Sequence, residues 1–239
     1  MPERERERMF NLPTVLVWTV GVLIVVHVIR ALLPYQSDVE VLMTFGFVPA
    51  RYTGAAEFLP GGIAACFWTP LTYALLHADW LHLGVNVLWM LSFGSAVARR
   101  FGTSRFLLLL LVTIAAGALA QFLAMPGNET LVIGASAGVS GITAAAARFA
   151  FAPGGPLAGG GTHPNAYLVP DPGLRASLLN PYSAFFILMW FGINLLFGVG
   201  GQMLPGVGGA IAWQAHIGGF LAGLLLFPLF DPVGHEARS

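Results

Sequence analysis

Six apolar segments dominate this chain and restrict it to folds that place much of their surface in lipid. They cover residues 15–33, 80–97, 106–123, 136–150, 184–200 and 211–230. A helix that spans a bilayer needs roughly 20 mostly apolar residues, and each segment reaches or approaches that length. Of the 239 residues, 56% are hydrophobic and 9% are charged, whereas an ordinary soluble domain carries about 25% charged residues. The sequence therefore predicts an all-α membrane protein with six transmembrane helices in one bundle.

The segments differ in the surroundings that they predict. Segment 136–150 is short and consists chiefly of Ala and Gly, which let helix backbones approach closely, so we expect it at the centre of the bundle. Residues 34–72 are too polar to span, and 41–52 predict an interfacial element with aromatic anchors. The Gly- and Pro-rich residues 153–181 predict a flexible cytoplasmic loop.

The basic residues predict the orientation of the bundle. All eleven are Arg. With six spans and a cytoplasmic amino terminus, nine of them lie on the cytoplasmic side. Arg51 lies outside, and Arg30 lies near the outer end of the first span. Because cytoplasmic loops carry an excess of basic residues, we expect both termini to be cytoplasmic. The membrane domain would then cover 11–232, with cytoplasmic tails at 1–10 and 233–239. The net charge of +0 gives no electrostatic support for nucleic-acid binding.

Four polar residues lie in apolar segments that do not need them, and together they form a candidate site. Ser136 begins the fourth segment and His216 lies in the sixth, where Gln214 is its closest polar neighbour and no acidic residue is near. His82 and Asn86 are four residues apart, so they share one face of a helix. Polar groups at membrane depth are costly and indicate function, and a hydroxyl paired with an imidazole can act as nucleophile and general base.

The order and spacing of these residues resemble those of the rhomboid family of intramembrane serine proteases. The similarity extends over residues 10–230, including the external-loop sequences 45–51 and 67–68. It rests on three motifs, which are His77-x4-His82-x3-Asn86, Gly134-Ala135-Ser136 and Ala215-His216-Ile217-Gly218-Gly219.

The resemblance implies a role for each of these residues. Ser136 would be the nucleophile and His216 the general base, in a dyad without a third acidic residue. His82, Asn86 and the backbone N–H of Ser136 would stabilise the oxyanion, and His77 would support the loop. The reaction would be serine-type peptide-bond hydrolysis within transmembrane segments of substrate proteins, with membrane lipid as the surroundings and with no metal or organic cofactor. A six-span core without an added helix favours the inner (plasma) membrane of a bacterium.

Three alternatives remain open at this point. The first is that Ser140 is the nucleophile, because a literal Gly-x-Ser-Gly occurs at Gly138-Val139-Ser140-Gly141, whereas Ala137 follows Ser136. Ser136 and Ser140 would share one helix face. We favour Ser136 because the family's longer motif is Gly-Ala-Ser-Gly-x-x-x-Gly, and Gly141 lies five residues after Ser136 as that motif requires. The chain could instead be an inactive relative that binds transmembrane segments without cutting them. A small transporter is a third possibility, although such proteins more often show repeats or broken paired helices.

Overall fold

The computed structural model of this chain describes residues 12–161, 163–199 and 212–233. The tail predicted at 1–10 and residues 234–239 of the other predicted tail lie outside this part of the chain, as do residues 200 and 211 at the ends of two predicted spans. Within the described residues there is no β-strand, and the α-helices are α1 (Thr14–Ala31), α2 (Tyr35–Phe45), α3 (Ala65–Thr72), α4 (Trp80–Ala124), α5 (Ser136–Phe149), α6 (Leu174–Leu179), α7 (Pro181–Val199) and α8 (Trp213–Phe230).

The six apolar segments coincide with helices, which confirms the all-α prediction. Segments one, four, five and six correspond to α1, α5, α7 and α8, and α4 contains both the second and the third. In the described part of the chain, α1, α4 and α8 are long and apolar enough to cross a membrane, and α7 has a shorter apolar stretch. The number of crossings stays a prediction.

Helix α4 reverses direction at Gly102, which divides its 45 residues into two arms. Gly102 has φ 72° and ψ 173°, a left-handed backbone conformation that favours glycine. A Cβ atom at Gly94 would lie 3.7 Å from Cε2 of Phe106, although a straight helix would hold these residues about 18 Å apart. The reversal therefore brings Trp80 and Ala124 to the same end of the bundle.

Small residues allow α5 and α8 to pack backbone against backbone. All residues of α5 from 137 to 149 are buried. A Cβ atom at Gly219 would fall on the carbonyl oxygen of Ala137, and one at Gly223 would fall on that of Gly141. The central position expected for the Ala- and Gly-rich segment is therefore confirmed.

The segment between α1 and α4 folds against the end of the bundle that holds Ser136. It contains α2, α3 and a 3-10 helix at Pro49–Thr53, so the predicted interfacial element at 41–52 comprises the end of α2 and most of this 3-10 helix. Arg51 is buried and donates hydrogen bonds to the backbone carbonyls of Met43 and Gly62. Phe47 and Val132 exchange two backbone hydrogen bonds, which tie this segment to the chain that leads into Ser136.

Two buried ion pairs hold the opposite end of the bundle together. The Arg100 guanidinium donates two hydrogen bonds to the carboxylate of Asp231 just after α8. Arg148, near the end of α5, pairs in the same way with Asp171. Asp171 belongs to the segment 153–181, which was predicted to be a flexible loop. The segment differs from that expectation, because it contains α6 and a 3-10 helix at Pro164–Leu168 and because the contact between Asp171 and Arg148 anchors it to α5.

Candidate active site

A hydrogen bond joins Ser136 to His216 across the contact between α5 and α8. Ser136 is the first residue of α5 and His216 lies in the first turn of α8. Ser136 Oγ is 2.7 Å from His216 Nε2, and both residues are half-buried. The close approach depends on Gly219, which leaves room for the backbone of Ala137. An imidazole placed in this way can take the hydroxyl proton as the oxygen attacks.

The other ring nitrogen of His216 contacts Asn194 of α7, a residue that was not predicted from the sequence. His216 Nδ1 lies 2.7 Å from Asn194 Oδ1. The side-chain N–H of Asn194 in turn donates to the backbone carbonyl of Trp190 at 2.8 Å. Gln214, expected to be the closest polar neighbour, instead directs its Nε2 at the sulfur of Met125, 3.4 Å away.

The first turn of α5 presents backbone N–H groups beside the Ser136 hydroxyl. The first hydrogen bond along this helix runs from the N–H of Val139 to the carbonyl of Ala135. The N–H groups of Ser136, Ala137 and Gly138 therefore have no carbonyl partner within the helix. These groups and the positive end of the helix dipole favour negative charge at this point.

Gly134 brings the imidazole of His82 close to Ser136. Its φ is +119°, and its N–H donates to the carbonyl of Tyr73 at 3.0 Å. A Cβ atom at Gly134 would lie 2.8 Å from His82 Nε2 and 3.6 Å from Ser136 Oγ. His82 and Ser136 therefore border the same small space, from which a side chain at position 134 is excluded.

The hydrogen bonds of His82 determine which ring nitrogen carries its proton. Asp79 caps α4 by accepting from the backbone N–H of His82 at 2.8 Å. The backbone N–H of Ala78 points at His82 Nδ1, 3.4 Å away. With Nδ1 as an acceptor, the neutral ring carries its hydrogen on Nε2, which is the nitrogen that faces Gly134.

Asn86 lies one turn further along α4 and is buried. Its Nδ2 donates to the backbone carbonyl of His82 at 2.9 Å. A primary amide has two N–H donors, so this bond leaves the second N–H for a ligand.

His77 supports the backbone that leads into α5. The side chain is fully buried, and burial lowers its pKa to about 3, so the ring is neutral. His77 Nε2 accepts from the backbone N–H of Ala135 at 3.4 Å, and the backbone carbonyl of His77 accepts from Arg30 at 2.7 Å. These contacts agree with a supporting role for His77.

Ser140 lies one turn after Ser136 and is buried within α5. The hydroxyl that forms the hydrogen bond to His216 Nε2 is that of Ser136. The literal Gly-x-Ser-Gly sequence thus places its serine one turn away from the hydroxyl that is bonded to the imidazole.

Comparison with known proteins identifies the family of this chain. The family model for the Rhomboid domain matches residues 64–153 and 164–231, which is more than half of the chain. The chain belongs to the rhomboid family. The Rhomboid protease GluP of Bacillus subtilis (strain 168) is 31% identical over 106 residues, which are 44% of this chain and 19% of that protein. The match thus spans about a fifth of the length of that relative.

Membership of the rhomboid family, together with three helices able to cross a bilayer, makes the chain an integral membrane protein. The matched ranges contain Ser136, His216, His82 and Asn86, so the predicted resemblance is confirmed at the level of the family. They also contain Asn194. A polar amide within an apolar segment is a sign of function, and the sequence shows this sign at Asn194. No local motif, however, connects Asn194 to His216.

Proposed function

We propose that this rhomboid protein is an intramembrane serine endopeptidase that cleaves transmembrane segments of other membrane proteins. The 2.7 Å contact between Ser136 Oγ and His216 Nε2 carries the proposal. Ser136 attacks the scissile carbonyl while His216 takes the hydroxyl proton and then transfers it to the leaving amine. Water, deprotonated by His216, hydrolyses the resulting ester on Ser136, and the proton returns to the serine oxygen.

The tetrahedral intermediates place a negative charge on the former carbonyl oxygen, and we assign three donors to this charge. These are Nε2–H of His82, the second amide N–H of Asn86 and the unpaired backbone N–H of Ser136. Removal of one donor directed at a developing oxyanion costs about 2.7–4 kcal/mol of transition-state stabilisation. The positive end of α5 adds to the same stabilisation.

The substrate must expose its backbone to be cut. A transmembrane helix hides its carbonyl groups in internal hydrogen bonds, so we expect substrates with helix-weakening residues and a small residue at the cut site. Water reaches the site from the end of the bundle at which α4, α5 and α8 begin. In the proposed topology of six spans with both termini cytoplasmic, this end lies in the external half of a bacterial inner membrane.

The proposal is tested by cleavage of a model transmembrane substrate in liposomes. We expect the wild-type protein and Ser140→Ala to cut, and Ser136→Ala and His216→Ala to lose cutting. Loss in Ser140→Ala with activity retained in Ser136→Ala would move the nucleophile by one turn. If the wild-type protein binds the substrate but never cuts it, the chain is the inactive, binding-only relative and the proposal fails.

A further inference from the structure

Asn194 forms a chain of hydrogen bonds whose directions follow from the groups involved. The backbone carbonyl of Trp190 can only accept, so the NH2 group of Asn194 must face it. The amide oxygen of Asn194 therefore faces His216 Nδ1 at 2.7 Å. Because that oxygen can only accept, His216 carries its hydrogen on Nδ1. Nε2 then has a free lone pair and accepts from the Ser136 hydroxyl.

We propose that Asn194 is a positioning residue that holds His216 in the tautomer and ring orientation needed to take the Ser136 proton. The inference rests on the proposed function and extends the expected dyad into a Ser–His–Asn chain contributed by α5, α8 and α7. Without an acceptor at Nδ1, the neutral ring is free to carry its hydrogen on Nε2. That tautomer cannot act as a base toward Ser136.

The same contact assists the reaction after the proton has moved. The imidazolium that forms donates from both nitrogens, and Asn194 Oδ1 already lies where the Nδ1 hydrogen points. A carboxylate would offer a stronger acceptor, but a permanent charge at membrane depth is costly. A neutral amide, anchored within its own helix, supplies the acceptor without that charge.

A purely structural role for Asn194, as an interhelical contact between α7 and α8, makes different predictions. It would change stability and leave both the tautomer of His216 and the turnover of folded enzyme unchanged. A positioning role lowers kcat with little change in KM, because Asn194 acts through His216 and not through substrate binding. The two roles are therefore separable in folded protein.

The kinetic test compares Asn194→Leu, which is close in size and lacks an acceptor, with Asn194→Asp, which keeps one. We expect Asn194→Leu to lower kcat by roughly 10- to 100-fold, the range found for groups that orient a metal-ligating histidine. KM should stay close to the wild-type value, and Asn194→Asp should recover part of kcat, because it keeps an acceptor for Nδ1–H but loses the N–H bond to Trp190. The matched control is Leu195→Ala, since Leu195 is the adjacent residue on α7 and is 49% exposed; its kcat should not change.

A second readout does not require proteolysis. Nitrogen-15 NMR of histidine-labelled protein, with the His216 signals assigned by their loss in His216→Ala, reports which ring nitrogen carries the hydrogen. We expect Nδ1–H in the wild-type protein and a shift toward Nε2–H in Asn194→Leu. Nε2–H in the wild-type protein, or unchanged kcat and tautomer in Asn194→Leu, would overturn the inference. A wild-type protein that cuts nothing yet shows the Asn194-dependent tautomer would refute the proposed function alone.

Discussion

At the scale of single residues, Gly134 controls the distance between His82 and Ser136. Its φ of +119° is strained for any residue with a Cβ atom, and that atom would lie 2.8 Å from His82 Nε2. We expect Gly134→Ala to displace His82 or Ser136 and to lower the cleavage rate by about 100-fold, as misplacements near 1 Å do. Cleavage in liposomes, with folding checked by thermal unfolding, measures this.

The control for Gly134 is Gly127→Ala. Gly127 lies in the same connection between α4 and α5, and a Cβ atom there would meet no atom within 4 Å. This variant should cut at the wild-type rate. Equal activity in Gly134→Ala would show that the space between His82 and Ser136 is not needed for cleavage.

Single residues of the candidate site could be predicted from the sequence where a polar residue lies within an apolar segment. Ser136, His82, Asn86 and His216 are polar groups in apolar segments, and their spacing matches a family pattern. Asn194 is equally out of place, but its partner lies 22 residues away on another helix. Only the packing of α7 against α8 shows that its amide oxygen meets His216 Nδ1.

At the scale of helices, the contact between α5 and α8 sets the distance between Ser136 and His216. A Cβ atom at Gly219 would fall on the carbonyl oxygen of Ala137, the residue after Ser136. Gly219→Ala should therefore push α8 away from α5 and lengthen the bond between Ser136 and His216. We expect cleavage to fall by about 100-fold and the melting temperature to fall as well, and both are measured on purified protein in detergent.

Gly84→Ala is the matched control for Gly219→Ala, because Gly84 is also a helical glycine but has open space where its Cβ would be. This substitution should raise helix propensity and leave cleavage unchanged. A Gly219→Ala protein with wild-type activity would contradict the view that backbone contact between α5 and α8 positions His216.

The helices themselves were largely predictable because long apolar stretches have few alternatives to helix in lipid. The reversal at Gly102 was foreseen only as a gap between two segments, since its conformation depends on one glycine. Helix α6 was missed within a segment rich in Gly and Pro. The nearby Asp171 makes a tertiary contact with Arg148, and propensity along the sequence does not report such contacts.

At the scale of the whole molecule, the two ends of the bundle carry different groups. One end holds Ser136 and His216, and two buried ion pairs lie at the opposite end. The Arg100 and Asp231 side chains are almost completely buried, with 0% and 1% exposure. Asp231→Ala leaves the Arg100 charge without its carboxylate, so we expect a loss of about 3–5 kcal/mol in the free energy of unfolding, measured by denaturant titration in micelles.

The reference for Asp231→Ala is Glu129→Ala, which removes an exposed carboxylate at the other end of the bundle. Its unfolding free energy should stay within about 0.5 kcal/mol of the wild-type value. Folded Asp231→Ala protein should keep the wild-type kcat, because the ion pair stabilises the bundle without contacting the site. Equal stability of the two variants would show that this ion pair does not hold the helix ends together.

The central claim is that His216 activates Ser136 as a nucleophile, and labelling by a fluorophosphonate tests it most directly. The wild-type protein would be treated in detergent micelles and the modified peptide identified by mass spectrometry. We predict an adduct on Ser136 that is lost in His216→Ala and retained in Ser140→Ala. An adduct on Ser140, or a folded wild-type protein in which no serine is labelled, would contradict the account.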